Sequence, residues 1–237
     1  MNVVTWNMQG STGAGESKWN TDVKRLFLQG NAELALLQEA GMPPRSAVPA
    51  PAPGFLTPAP AFYGFAVWQS LLWNLGTTSR PYNVGIYWVQ CDLGGNRNNV
   101  AIAFALQALN FLILPNPVVA PAGTTYRPAI GVRLANGAGT LDVYTLHAFS
   151  GGGGDAPGSL AAINAVSPAW AVCGDFNRAP ASMPAVPGFL CPHDSVTTHP
   201  GTGTNLDYAF TSLAPGTAGF VDQNFVVSDH FPVYYVL

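Results

Sequence analysis

Charged side chains are scarce in this sequence. Of its 237 residues, 9 are Lys or Arg and 12 are Asp or Glu, so 9% are charged, where an ordinary soluble domain has about 25%. Hydrophobic residues nevertheless make up 48% of the chain, and a chain disordered throughout would combine low hydrophobicity with high charge. The composition therefore excludes disorder over the whole length. The net charge of −3 argues against a protein of the histone kind, which covers nucleic acid without sequence preference. It is compatible with a nuclease that has a small basic site.

Long hydrophobic runs are also missing. The most apolar stretch, 100–114, is interrupted by Gln107 and Asn110, whereas a membrane-spanning helix needs about 20 apolar residues. We expect no membrane span, and we interpret the stretch as a buried strand pair. Met1 leads straight into a strand-like segment, so we expect a mature chain without a visible signal peptide.

Cysteine is rare as well. Cys91, Cys173 and Cys191 lack the spacing of a metal site, and three cysteines cannot all pair internally. Cys173 lies in an apolar run and is predicted to be a buried thiol. The cysteines do not indicate whether the protein works in an oxidising or a reducing compartment.

Proline is concentrated in one segment. Seven prolines lie between residues 43 and 62, which predicts a surface loop or an extended, polyproline-like arm. The composition is the same on either side, so residues 1–237 are predicted to form a single domain.

The rest of the chain is predicted to form many short strands and at least two helices. Trp19, Val23, Leu26 and Phe27 lie on one face of a predicted helix, and residues 159–166 form a second. The predicted strands are NVVTWN, LALLQ, FAVWQSLLWNL, NVGIYWV, VAIAFAL, NFLIL, PAIGVRL, LDVYTLH, WAVC, LDYAF and FPVYYVL. The alanines of VAIAFAL suit a helix equally well. This pattern indicates a mixed α/β sandwich.

The few residues that can bind metal or transfer protons fall at the ends of these strands. They are Asn7, Glu39, His147, Asp175, Asn177, Asp207, Asp229 and His230. Taken singly, each of these residues more often belongs to a turn or is simply solvated. Strand direction cannot be obtained from one sequence. Their combination predicts a site at one rim of the sandwich. His193 and His199 lie in a loop rich in Pro and Gly and are predicted to have no role there.

The segments around these residues, taken in chain order, resemble those of the catalytic B subunits of cytolethal distending toxins. Those subunits belong, with deoxyribonuclease I, to the endonuclease/exonuclease/phosphatase superfamily. GDFN and SDHFPV are general to that superfamily. The more specific matches are TWNMQGS, QEAGMPP, WNLGTTSRP and GGDAP. The resemblance extends from residue 3 to residue 235.

The resemblance implies a four-layer α-β-β-α sandwich of the deoxyribonuclease I type, and it implies a role for each strand-end residue. Asn7, Glu39 and Asp229 would hold a divalent cation, with Mg²⁺ as the expected ion, since hard oxygen ligands suit it. His147, Asp175, Asp207 and His230 would be catalytic. Asn177, Arg97, Arg127 and Arg178 would bind phosphate.

The implied function is a metal-dependent endonuclease that hydrolyses DNA. It would be a secreted toxin acting inside the host cell, in the nucleus, delivered by other toxin subunits. Two alternatives remain open: a phosphoinositide phosphatase on the same fold, and an assembly subunit whose site is idle. Two departures bear on the substrate, because GGNRNNVA is one residue longer than the family pattern around Arg97 and the loop after His147 is SGGGG.

Overall fold

In the computed structural model, which describes residues 1–10, 17–65, 67–92, 94–118 and 127–237, the described strands form two β-sheets. The eight-stranded sheet consists of β1 (Asn2–Asn7), β2 (Leu34–Gln38), β3 (Val48–Pro49), β4 (Trp68–Asn74), β5 (Asn83–Val89), β6 (Val100–Phe104), β13 (Phe220–Val221) and β14 (Val233–Val236), in the order β13-β14-β1-β2-β6-β5-β4-β3. The six-stranded sheet consists of β7 (Asn110–Leu114), β8 (Ala129–Asn136), β9 (Gly139–His147), β10 (Trp170–Asp175), β11 (Phe189–Cys191) and β12 (Asp207–Thr211), in the order β11-β12-β10-β9-β8-β7.

Both predicted helices form. The first begins as a π-helical segment at Trp19–Val23 and continues as α1 (Lys24–Leu28), and the second is α2 (Ala156–Val166). Two short 3₁₀ helices lie at Pro60–Tyr63 and Pro180–Ser182. No helix in the described ranges is long and apolar enough to span a membrane.

The helices cover the outer faces of the two sheets, which confirms the layered sandwich. Ile102 and Ile130, one from each sheet, are buried together between the sheets. Leu26 of α1 packs on the outer face of the eight-stranded sheet, and Leu160 of α2 packs on the outer face of the six-stranded sheet. Central strands are thus buried on both faces, which explains why they appear as continuous apolar runs.

The segment 100–114 corrects one prediction. Both strands form, but β6 pairs with β2 and β5 whereas β7 pairs with β8, so the prediction that they pair with each other is wrong. The chain between them crosses from one sheet to the other, and Ile102 and Ile113 both face the core between the sheets. Shared burial, and not hydrogen bonding, explains the shared apolar character.

The proline-rich segment runs along the outer edge of the eight-stranded sheet. It is not wholly a loop, because β3 pairs with β4 within it and a 3₁₀ helix ends it at Pro60–Tyr63. Pro49 is tolerated in β3 because an edge strand does not need every backbone N–H for the sheet. The segment therefore covers the β3 edge of the sheet, at the opposite end of the strand order from β13 and β14.

Candidate active site

Strand direction brings the polar residues to one edge of the sandwich. β1 runs parallel to β2, and β9 runs parallel to β10, so the carboxyl ends of each pair meet. Asp175, at the end of β10, lies in register with His147 on one side and with Asp207 on the other. The side chain of Asn7 donates a hydrogen bond from Nδ2 to Asp175 Oδ2 at 2.9 Å and so joins the two sheets.

The Asp175 carboxylate is at the centre of this arrangement. Around its Oδ2 lie Asn7 Nδ2 at 2.9 Å, Asn177 Nδ2 at 3.2 Å, His147 Nε2 at 3.6 Å and His230 Nε2 at 3.9 Å. Asp175 is 1% exposed. Two amides and two imidazoles are therefore directed at one buried oxygen.

Burial sets the protonation of Asp175. Desolvation, and then the neighbouring charge of Asp207, raise the pKa of Asp175 to about 7, against the opposing effects of His230 and the Asn7 hydrogen bond. A carboxyl group with a pKa near neutrality can accept a proton at physiological pH and release it again, which is what a general base requires.

His230 is held by a second buried carboxylate. Its Nδ1 lies 2.6 Å from Asp207 Oδ2, and Asp207 is fully buried. Burial alone would lower the pKa of His230, but the charge of Asp207 and the hydrogen bond to it, with Asp175 and Asp229, raise that pKa to about 9. His230 is therefore a cation at neutral pH, with Nε2 directed at Asp175.

His147 has the opposite character. Burial, together with the positive charges of Arg127, His230 and Arg97, holds the pKa of His147 well below its usual range. Its Nε2 lies 3.6 Å from Asp175 Oδ2 and 3.9 Å from Glu39 Oε1. Since both neighbours are proton acceptors, the neutral ring is expected to carry its proton on Nε2. The site thus contains one neutral and one protonated imidazole.

Backbone strain is concentrated at the site. Gln9, Glu39 and Asn177 have φ values of 46°, 46° and 48°, a left-handed conformation that costs non-glycine residues free energy. Each follows the end of a central strand by one or two residues. The turn at Glu39 directs its carboxylate toward His147 and Arg97 and away from the course of β2.

The three predicted phosphate-binding arginines all lie near this edge. Arg97 Nε is 2.7 Å from Glu39 Oε2, and the Arg97 side chain is 42% exposed. Arg127 donates to the carbonyls of His147 and Ala148 at 3.4 and 3.0 Å. Arg178 Nε donates to Gly152 O at 2.9 Å, in the glycine-rich loop. The longer loop before Arg97 has not displaced it from the site.

Asn99 connects the loops that carry Glu39 and Arg97. This side chain is fully buried, and its Nδ2 donates to Gly41 O at 3.1 Å and to Asn96 O at 2.8 Å. Its Oδ1 accepts hydrogen bonds from two backbone amides at the start of the same loop. Asn99 is not among the predicted site residues.

Two side chains next to Asp229 are also absent from the predicted set. Gln9 Nε2 donates to Asp229 Oδ2 at 3.1 Å, and His199 Nε2 lies 3.8 Å from the same oxygen. The His199 ring contacts the His230 ring edge-on, with 4.6 Å between centroids. The sequence predicts no role for His199, whose loop is held here by hydrogen bonds from Phe231 N to Thr198 O and from Asp207 N to the Thr198 hydroxyl. His193 is paired instead with its neighbour Asp194.

The donor set suits a divalent cation. Asn7, Glu39 and Asp229 contribute amide and carboxylate oxygens, which hard cations prefer. In addition, the described residues include a group formed by Asp175, Asp207 and His230, whose ligand atoms all lie within 4.8 Å of one another. The chemistry of these side chains therefore permits metal binding.

Comparison with known proteins agrees with this geometry. Residues 4–230 match the model of the Endonuclease/Exonuclease/phosphatase family. The B subunit of cytolethal distending toxin from Escherichia coli is 35% identical over 98% of this chain and 89% of its own length. The crystal structures of cytolethal distending toxin from Actinobacillus actinomycetemcomitans and Haemophilus ducreyi contain similar chains, at 33% and 34% identity and TM-scores of 0.81 and 0.78; each alignment covers 99% of this chain and 97% of the other. The chain therefore belongs to the endonuclease/exonuclease/phosphatase family, among relatives of the B component of cytolethal distending toxins.

Proposed function

We propose that the protein is a divalent-metal-dependent endonuclease of the cytolethal distending toxin B type, which hydrolyses phosphodiester bonds of DNA. The observation that supports this proposal most strongly is the buried Asp175 carboxylate, with Asn7, Asn177, His147 and His230 around one of its oxygens. Phosphodiester hydrolysis needs an activated water and donors for the charge that develops on the phosphate oxygens. This cluster supplies both kinds of group.

Asp175 would orient and deprotonate the attacking water. Its pKa of about 7 is close to the operating pH, where a general base combines availability with driving force. The Asn7 and Asn177 amides donate hydrogen bonds to its Oδ2, which fixes the carboxylate for that task. Asn177 would also hold a phosphate oxygen.

The two imidazoles would act on the phosphate in different ways. His230, protonated through its pair with Asp207, would donate a proton or a hydrogen bond from Nε2 to the reacting phosphate. His147 is neutral and would donate a hydrogen bond without carrying charge. An aspartate–histidine pair fixes the tautomer and raises the basicity of the ring, which supports the first of these roles.

Asn7, Glu39 and Asp229 would hold the cation, which we propose is Mg²⁺. A bound Mg²⁺ would neutralise charge on the phosphate and polarise its oxygens. One amide and two carboxylates, one of which also accepts a hydrogen bond from Arg97, make a weak site. We therefore expect saturation only at high Mg²⁺ or with substrate bound.

Arg97, Arg127 and Arg178 would contact the DNA backbone. Their positions on three separate loops at the same edge support contacts with successive phosphates on either side of the cleaved bond. Because two of the three already donate hydrogen bonds to backbone carbonyls, we expect them to position DNA and not to bind it tightly.

We further propose that residues 1–237 act as a single domain in a secreted toxin. The pairing of β1 near the start of the chain with β14 near its end supports the single domain. The relatives are toxin components by name, which supports delivery by partner subunits and action on DNA in the host nucleus.

Two hydrolysis assays run side by side test the substrate. The untagged protein is incubated with supercoiled plasmid and, separately, with a phosphoinositide in vesicles, each with Mg²⁺ and with EDTA. We expect metal-dependent nicking of the plasmid and little release of inorganic phosphate. Phosphate release without nicking would instead favour the phosphoinositide phosphatase, and the low basic content of the chain is the observation in its favour. Inactivity on both substrates would favour an assembly role with an idle site.

A further inference from the structure

We propose that His199, Asp229 and His230 form a binding site for a transition-metal cation of the Zn²⁺ type, next to the Asp175 carboxylate. One ligand atom from each of the three side chains lies within 4.8 Å of the other two. Two imidazole nitrogens and one carboxylate form a donor set that zinc favours, whereas Mg²⁺ prefers oxygen alone. This site is therefore chemically distinct from the oxygen site proposed for Mg²⁺, although both use Asp229.

Both imidazoles present the same ring nitrogen to one carboxylate. His199 Nε2 lies 3.8 Å from Asp229 Oδ2, and His230 Nε2 lies 4.0 Å from Asp229 Oδ1. Ligand atoms of a tetrahedral zinc site are about 3.4 Å apart, given bonds of about 2.1 Å. The Asp229 side chain is 44% exposed, and its hydrogen bond from Gln9 Nε2 lies on the exposed side of the site, so a shift of this side chain would bring its oxygens within bonding distance of the cation at the cost of that hydrogen bond.

The second nitrogen of each ring already has a partner. His230 Nδ1 is 2.6 Å from Asp207 Oδ2, and His199 Nδ1 is 2.8 Å from the Thr202 hydroxyl, with the Thr202 amide at 3.2 Å. In the metal-free structure the Thr202 amide donates to His199 Nδ1, so binding of a cation at Nε2 moves the ring proton to Nδ1, where the Thr202 hydroxyl accepts it in place of the hydrogen bond from the amide. Hydrogen bonds of this kind orient metal-binding histidines and increase their basicity.

The surroundings favour a cation and allow it to enter. Three carboxylates face His230: Asp207 at Nδ1, and Asp175 and Asp229 at 3.9 and 4.0 Å from Nε2. His199 is held at the base of a tight turn by the hydrogen bond from its own amide to Thr204 O. The turn keeps His199 in place beside the partly exposed Asp229, through which solvent reaches the site.

Zn²⁺ at this position would block catalysis. It would replace the proton on His230 Nε2, the atom that donates to the phosphate in the function proposed above. We therefore expect Zn²⁺ to inhibit DNA hydrolysis even when Mg²⁺ is present. The inhibition rests on the proposed function, but the binding does not.

Calorimetry with ZnCl₂ on the metal-free, untagged full chain at pH 8 tests the binding. We expect one Zn²⁺ per chain, and at least a tenfold weaker affinity in His199→Gln. Thr202→Val, which removes only the hydroxyl behind His199, should weaken binding by about 10-fold or more. The matched control is His193→Gln, which removes a loop histidine paired with Asp194 and should leave the affinity unchanged. The melting temperature of each variant without metal verifies its fold.

Imidazole NMR supplies a second measurement that does not depend on a variant. Zn²⁺ should shift the ring resonances of His199 and His230 together and leave those of His193 in place. Unchanged affinity in both His199→Gln and Thr202→Val, or Zn²⁺ shifts that spare His199, would overturn the site. If the wild type binds Zn²⁺ as expected but hydrolyses no DNA, the site stands and only the proposed function fails.

Discussion

Asp207 and His230 form the closest charged contact of the active site, at 2.6 Å, and Asp207 is fully buried. The pair decides whether His230 is protonated when substrate arrives. A histidine beside a buried carboxylate has its charged form stabilised, and the effect can be measured in the metal-free protein.

We expect NMR titration to give His230 a pKa of about 9 in the wild type. In Asp207→Asn the pKa should fall toward the ordinary value near 6.5. Because the folded-state pKa is raised, the charged ring stabilises the fold fully below about pH 6.5, and this contribution is lost as the pH rises through 9. Asp207→Asn should therefore lower the melting temperature at pH 6 more than at pH 9.5. If the His230 pKa in Asp207→Asn equalled that of the wild type, Asp207 would not be the group that stabilises the protonated ring.

At the scale of secondary-structure elements, the site depends on how loops leave the strands. Asn99 is the fully buried side chain that joins the Glu39 loop to the Arg97 loop. Loss of this side chain leaves the part-buried amides of Cys91 and Asp92 without their acceptor, while Gly41 O keeps its hydrogen bond from Trp88 Nε1. An unsatisfied buried group costs about 1–3 kcal/mol.

Asn99→Ala should both destabilise the protein and lower hydrolysis, by up to about 100-fold, since displacements near 1 Å in an active site have such effects. Asn74→Ala is the matched control, because Asn74 accepts hydrogen bonds from the Gly76 and Tyr82 amides in the β4–β5 turn. This control should lose stability without losing activity. Thermal unfolding and plasmid nicking on both variants separate the two effects, and equal activity in Asn99→Ala and wild type would refute the positioning role.

The same scale shows what the sequence could predict. The strands that carry Asn7, His147 and Asp175 are short apolar runs that end at a polar residue, so both the strand and its end were visible in the sequence. Strand direction was not visible, because it depends on which strands pair. The parallel β1–β2 pair brings the end of β1 beside the end of β2, the parallel β9–β10 pair brings His147 beside Asp175, and the packing of the two sheets brings Asn7 to Asp175.

Other features depended on distant contacts and could not be predicted. β11 and β13 are strands of three and two residues, too short to show a periodic pattern. His199 reaches the site through the pairing of its loop with Phe231, more than thirty positions further along the chain. The sheet assignment of β7 likewise depends on β8 and not on the adjacent β6.

At the scale of the whole molecule, few cations are available for DNA. The chain has nine Lys and Arg residues and a net charge of −3. Arg133 is paired with Asp142, and Arg25 stacks over Phe225. At the active-site edge, Lys18 Nζ donates to Met8 O and Gln9 O, and we expect Arg97, Arg127 and Arg178 to be the main phosphate contacts.

Binding to duplex DNA should therefore depend weakly on salt. Each neutralised phosphate contributes about −0.9 to the slope of log K against log salt, so three contacts give a slope of about −2 to −3. Fluorescence anisotropy with a catalytically inactive variant over a series of salt concentrations measures it. A slope steeper than about −5 would require more phosphate contacts than these three arginines provide.

Plasmid nicking by the wild type and by two single-residue variants decides whether this edge of the sandwich is a hydrolytic site. With Mg²⁺, the wild type should convert supercoiled plasmid to the open circle, and EDTA should abolish the conversion. Asp175→Ala and His230→Ala should each lose at least about 100-fold in rate, as expected when a general base or acid is removed, while Asp222→Ala, at a carboxylate in the β13–β14 connection, should retain full activity. Full activity in either site variant, or undiminished nicking in EDTA, would contradict the assignment of a metal-dependent nuclease to this site.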